Sequence, residues 1–293
     1  GLAVDVTASD IVVRNDADSA LAAPEIILAA SELLRVDAGS VIEASGEPAP
    51  ASDLIVAPQQ AARYNDNGTP DNPADDTLID PERDWGTLIR LASGDAAKVV
   101  RRGVDTGTGG QVSIGDQARL QASGALLIDA TRTTDMAGSA VLGARNLSVS
   151  SGRIGFGGTG EGLMLEAEAL AQLSRTEELT LRSYSSFDFH QSVNLEAAGL
   201  RAVVLDGGAL AGYGDVDVVV RGSRITLANS GGMTDPAGAD PGAASLTLAA
   251  DTIVLGAGEK RASGFDRVSL VAADRIVGQG QGVFDAGAAD LAL

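Results

Sequence analysis

The chain has a single histidine, in Phe187-Asp-Phe-His190. Alternation along a strand puts Asp188 and His190 on one side and Phe187 and Phe189 on the other. Any chemistry that moves a proton through imidazole has to use His190, with Asp188 as its neighbour. With the phenylalanines inward, Asp188 and His190 are expected as an exposed surface pair. Asp206, Asp215 and Asp217 are close in sequence, and stacking in register could bring Asp188 near them. Clustered carboxylates on one face are the tools of glycoside cleavage. Against this, the chain carries 40 Asp and Glu, so acidic neighbours are common everywhere. Sugar-cleaving clefts also use aromatics, and here Tyr64 and Trp85 lie apart from Tyr184 and Tyr213. No enzymatic activity is expected.

Oxygen ligands surround a turn in Asn65-Asp-Asn-Gly-Thr-Pro-Asp71, with Asn65, Asn67 and Asp71 as the candidate set for calcium. The match to an Asp-x-Asp-x-Asp-Gly loop is partial: Asn replaces Asp, and Arg63 stands at the first ligand position. A solvated loop without a cofactor is the expectation. Lys98, Arg101 and Arg102 form the one basic cluster, read as a solvated face that could dock an acidic partner. Gly107-Thr-Gly-Gly110 and Gly155-Phe-Gly-Gly158 lack the Lys-Ser/Thr of a phosphate loop and read as corners. The chain has no cysteine, which excludes disulfides and thiolate metal sites.

The elements that would position these residues follow one short pattern: apolar, any, apolar, any, small, any, any, apolar. It starts at Val4, Ile26, Leu34, Leu147, Leu163, Val193, Val203, Val218 and Leu246. The apolar spacing alone occurs often by chance. The fifth position is the informative one, since it is Ala, Ser or Gly in every match although only the apolar positions define the search. On a strand the first, third and fifth residues share a face, so two apolar residues fill an interior and a small one sits where the chain turns. Hairpin signals are scarce, with Asp-Gly only at 206–207 and Asn-Gly only at 67–68. Several starts lie 22 to 30 residues apart, the repeat length of a solenoid coil. The predicted fold is all-β: β-solenoid coils over 1–46, a loop insertion with a short re-entry strand over 47–108, and further coils over 109–293.

Composition agrees. The hydrophobic fraction is 44% but aromatics are only 3%, so the core must be built from Leu, Val, Ile and Ala, which suits a narrow stacked interior. The net charge of −19 argues against a nucleic-acid partner. Thr87-Leu-Ile-Arg-Leu91 reads as the re-entry strand. Glu166–Glu178, rich in Ala, Leu and Glu, is read as strand in preference to helix. Asn229–Gly242 is a second, smaller polar excursion.

Val36-Asp-Ala-Gly-Ser-Val-Ile-Glu-Ala-Ser-Gly46, Ser123-Gly-Ala-Leu-Leu-Ile-Asp-Ala-Thr131, Leu147-Ser-Val-Ser-Ser-Gly-Arg-Ile-Gly155 and Gly86-Thr-Leu-Ile-Arg-Leu-Ala-Ser93 resemble segments of filamentous-haemagglutinin-type exoproteins of the two-partner secretion class. The resemblance implies a right-handed parallel β-helix, export through an outer-membrane secretion partner, and residence as a secreted protein at the bacterial cell surface. It implies a stalk or adhesin segment flanked by neighbouring coils, meeting a host-cell or bacterial surface receptor or glycan. The loop residues Tyr64, Trp85, Lys98, Arg101 and Arg102 are then the partner-binding candidates. A toxin-delivery stalk is the other reading of the same resemblance, and a polysaccharide-degrading β-helix is the enzymatic rival to both.

Overall fold

The computed structural model describes residues 2–48, 52–70, 72–95, 98–233 and 242–293. The protein is all-β, with 55% of residues in strands. The one α-helix among the described residues is Ala167–Leu173. The largest sheet has eleven strands. From Ala125–Ala130 onward its neighbours pair in parallel and in register through Asn146–Ser151, Glu178–Ser183, Ala202–Asp206, Asp217–Ala228, Ala244–Leu255 and Phe265–Gly278. Among the described residues four further sheets are parallel throughout, three larger ones and one small. One stacks Asp10–Val13, Leu33–Val36, Gln111–Ile114 and Thr133–Met136. Another stacks Leu21–Ala23, Val41–Ala44, Arg119–Ala122 and Val141–Gly143. The third holds six strands, among them Ile154–Phe156, Ser186–Phe189, Ala209–Gly212 and Gly258–Ser263.

Register explains the core. In the main sheet Leu126, Leu147, Leu179, Val203, Ile225, Ile253 and Ile276 lie in one file, each opposite the next. They belong to one continuous apolar cluster shared with the inward faces of the other sheets. Gly222, Ala250 and Ala272 are likewise in register, so two small residues of the sequence pattern, Gly222 and Ala250, stack on one another and on Ala272. Aromatic side chains join the stacking: the Phe156 and Phe189 rings lie parallel with centroids 4.6 Å apart, and Phe265 meets Phe189 edge-on. A β-carbon at Gly212 would lie 2.9 Å from the Phe265 ring, so the missing side chain there makes room for that phenylalanine.

The stretch 47–108 departs from the expected loop. Leu54–Val56 is the centre of a three-stranded parallel sheet between Leu2–Val4 and Val99–Val100. Thr87–Ala92 enters the main sheet between Glu25–Ala30 and Ala125–Ala130, antiparallel to both. The small sheet covers the outward face of these strands, and Leu54, Val56 and Val99 pack with Leu88 and Leu127 in a second apolar cluster. Segments covered on both faces should be apolar at successive positions, as Thr87-Leu-Ile-Arg-Leu-Ala92 and Ala125-Leu-Leu-Ile-Asp-Ala130 are, and all twelve residues are buried.

Two other expectations are corrected. Residues 167–173 form a helix because Ala, Glu, Leu and Gln favour it and because Leu170 and Leu173, three apart, bury the same side. Asp188 is buried rather than exposed, because Arg153 closes over it with a 3.2 Å ion pair. The excursion at 229–242 falls largely outside the described residues.

Truncating a stacked ring should leave a cavity. Phe189→Ala is expected to lower unfolding free energy by about 3–5 kcal/mol. The outward Thr226→Ala should stay within about 0.5 kcal/mol. Urea denaturation of the two variants checks the contrast.

Candidate functional site

The basic cluster predicted at 98–102 separates on folding. Lys98 and Arg102 are exposed, but the Arg101 side chain is 1% exposed and takes no part in a surface. Its Nε donates to Asp129 Oδ2 at 2.7 Å, and its Nη1 donates to both oxygens of Asp84 at 3.0 and 3.1 Å. The Tyr184 hydroxyl donates to the other Asp129 oxygen at 2.6 Å. Asp129 lies on the outward face of the main sheet, in one file with Ser150, Arg182 and Asp206. Arg182 Nε donates to Asp206 Oδ2 at 2.8 Å, and Arg182 Nη1 caps the Val99 carbonyl of the covering sheet at 2.9 Å. Ser230 completes the array, its backbone N–H and hydroxyl bonding Asp206 at 2.7 and 2.6 Å. This chain of charge-assisted bonds fastens the covering segment to the sheet beneath it.

One guanidinium here faces two carboxylates. Burial pushes the Asp84 carboxyl up to about 6; Arg101 opposes that rise without cancelling it, and Asp129 adds to it. Burial works against charge on Arg101, but Asp129, Tyr184 and Asp84 outweigh it and hold the guanidinium protonated. Burial, with the Asp129 charge beside it, raises Tyr184 and keeps it a neutral donor. Burial also works to raise Asp206, yet Arg182 and Ser230 outweigh it and hold that carboxyl below the usual range. The carboxylates nearest to a catalytic pattern in the sequence, Asp188 and Asp206, are therefore each committed to an arginine.

What the covering segment carries outward is a hairpin. Arg63–Asn65 pairs with Thr77–Asp80, placing Tyr64 opposite Leu78 and Arg63 opposite Asp80, where the two charges bridge at 2.9 Å. Tyr64, Leu78 and Ile79 are 58%, 50% and 53% exposed. The turn between the strands is tied by its own side chains. Asn65 Nδ2 donates to Asn67 Oδ1 at 3.0 Å, Asn67 Nδ2 to Thr77 Oγ1 at 3.1 Å, and Thr69 Oγ1 to Asp75 at 2.9 Å. The two asparagines thus spend amide and carbonyl on the turn. Asp71 lies outside the described residues, and among the described residues no group of three or more His, Cys, Asp or Glu could hold a metal. Trp85 is half-buried at the base of the segment, its indole N–H donating to Glu32 Oε1 at 3.3 Å.

The sequence reading missed the ion network, yet a signal was there. Asp129 and Arg90 are charges inside unbroken apolar runs, and a charge in a strand covered on both faces needs a partner. Arg90 finds Glu25 at 2.6 Å.

Comparison with protein-family models, curated proteins and solved structures finds no match.

Two outcomes test the network. Arg101→Met leaves two buried carboxylates without their cation and is expected to cost about 3–5 kcal/mol of unfolding free energy. Asp84 binds its proton more tightly folded than unfolded, so its contribution to stability is full below about pH 4 and is lost as pH rises towards 6. Asp84→Asn should therefore gain on the parent chain by roughly 2–3 kcal/mol between pH 4 and 7, a tenfold change in proton affinity being worth about 1.4 kcal/mol. A pH-independent difference between the two denaturation series would contradict this reading.

Proposed function

We propose that the chain is a stalk or adhesin segment of a large secreted bacterial β-helical exoprotein, acting in surface display or adhesion. In this reading the stacked parallel strands are successive turns of one right-handed solenoid, and the covered stretch 52–108 is the recognition module mounted on it. The exposed hairpin carries the reading: Tyr64, Leu78 and Ile79 are held in water on a segment fixed to the sheet by a second apolar cluster and a buried ion network. Large apolar side chains on an otherwise charged protrusion are contact residues more often than scaffolding. The resemblance of the repeat segments to exoproteins of the two-partner secretion class supports the same reading, with an outer-membrane partner for export and a receptor or glycan on a host or bacterial surface as the target. The engagement of Asp188 and Asp206 by arginines favours binding over hydrolysis.

Removing the whole segment is the wrong test, because it would strip Leu88 and Leu127 of their cover. The triple variant Tyr64→Ser, Leu78→Ser, Ile79→Ser keeps the cover. It is expected to retain the parent urea midpoint while binding of the labelled chain to cultured epithelial and bacterial cells falls at least about tenfold, the loss of roughly 1.4 kcal/mol. Unchanged cell binding by the folded variant would remove the hairpin from the mechanism.

A further inference from the structure

The six-stranded sheet carries a second constellation, on its outward face. Met164, Gly155, Asp188, Ala211 and Ser263 lie in one file, with the Met164 side chain over Gly155 and the Asp188 carboxylate next in line. Asp188 has 4% of its side chain exposed and meets Arg153 Nη1 at 3.2 Å. Immediately beyond the strands, His190 and Tyr213 follow Phe189 and Gly212, which are register partners. Their rings stack with centroids 4.2 Å apart and planes within 17°. Gly158 packs against His190, where a β-carbon would come within 2.7 Å of the imidazole, and His190 itself is exposed. Neither His190 nitrogen nor the Tyr213 hydroxyl has a hydrogen-bond partner among the described residues. Burial and the nearby Asp188 charge raise Tyr213, which keeps its hydroxyl a donor.

We propose that Arg153, His190 and Tyr213, with Asp188 buried beneath Arg153 to hold it in place, form a shallow binding site for a neutral, hydroxyl-rich glycan. Arg153, 35% exposed, presents guanidinium donors to vicinal hydroxyls, and the Asp188 carboxylate beneath it cancels its charge. The two rings add apolar surface with polar tips in reach of further hydroxyls. The protein's net charge of −19 disfavours sulfated or other polyanionic sugars. Asp188 here is a positioning group for Arg153; no bond in the sugar is made or broken. The site names a ligand class for the adhesion reading and rests on it for biological setting alone, since glycan binding by the purified chain succeeds or fails whether or not the hairpin binds cells.

His190 is the sole histidine, so its imidazole gives one isolated NMR signal in the full chain. Titration with cellobiose, lactose, maltose and chitobiose is expected to give a saturable shift of that signal with at least one of them, at a Kd on the order of 1 mM. Tyr213→Ala and Asp188→Asn should each weaken it about tenfold or more, with unchanged circular dichroism. Tyr213 is partly exposed, so that variant tests the site even if Asp188→Asn does not fold. No shift with any of the four sugars at about 20 mM, where a millimolar site would be nearly full, overturns the proposal. So does a shift that survives Tyr213→Ala, or one produced only by a heparin disaccharide.

Discussion

Parallel, in-register pairing places each residue beside its counterpart on the neighbouring strand, so every file across a sheet has to be chemically self-consistent. That constraint organises the whole molecule. Inward files must be apolar, as the run from Leu126 to Ile276 is. Files at bends must be small, as Gly222, Ala250 and Ala272 are. Outward files are free to carry charge, but wherever something covers them the charges must find partners. The covered file of Asp129, Ser150, Arg182 and Asp206 meets that demand through Arg101 above and Ser230 beside it. Asp188, on the outward face of the six-stranded sheet, meets it through Arg153.

The insertion is best understood from the same constraint. It contributes Thr87–Ala92 to the main sheet, in the opposite direction to its neighbours, and, with Leu54–Val56 and Val99–Val100 beside Leu2–Val4, two of the three strands that cover that face. A buried ion network of this kind is weak evidence for stability, because desolvating the charges offsets much of what their pairing contributes. Its value is geometric: the donors and acceptors match only in one placement of the covering segment. That placement fixes where the hairpin of Tyr64, Leu78 and Ile79 emerges.

Much of the interior was legible in the sequence. At Leu147, Val149, Ser151 and Ile154, and again at Leu246, Leu248, Ala250 and Ile253, all four pattern positions are buried. Elsewhere the pattern slipped for physical reasons. After Ile26 and after Leu34 the residues that turn inward are Leu34 and Ile42, one place beyond those the pattern names. At Leu163 the small fifth residue, Ala167, opens a helix. Val4 and Val6 alternate correctly but pack in the second cluster, beside the insertion strand Leu54–Val56. The long polar composition of 47–86 hid the strand Leu54–Val56, because a three-residue strand leaves almost no periodic signal. Arg101 could not be placed from its basic neighbours, since its partners lie 17 and 28 residues away and only the fold brings them together.

In-register stacking itself is the claim on which the rest stands, and the absence of cysteine allows a direct measurement. Thr180 and Val204 are outward register partners on adjacent strands, and Thr226 lies in the same file one strand further on. Adjacent strands are about 4.8 Å apart, within disulfide reach, whereas two strands are about 10 Å apart and beyond it. The account expects the double variant Thr180→Cys, Val204→Cys to form an intramolecular disulfide under mild oxidation while Thr180→Cys, Thr226→Cys stays reduced. Ready closure of the second pair, with the first left open, would contradict it.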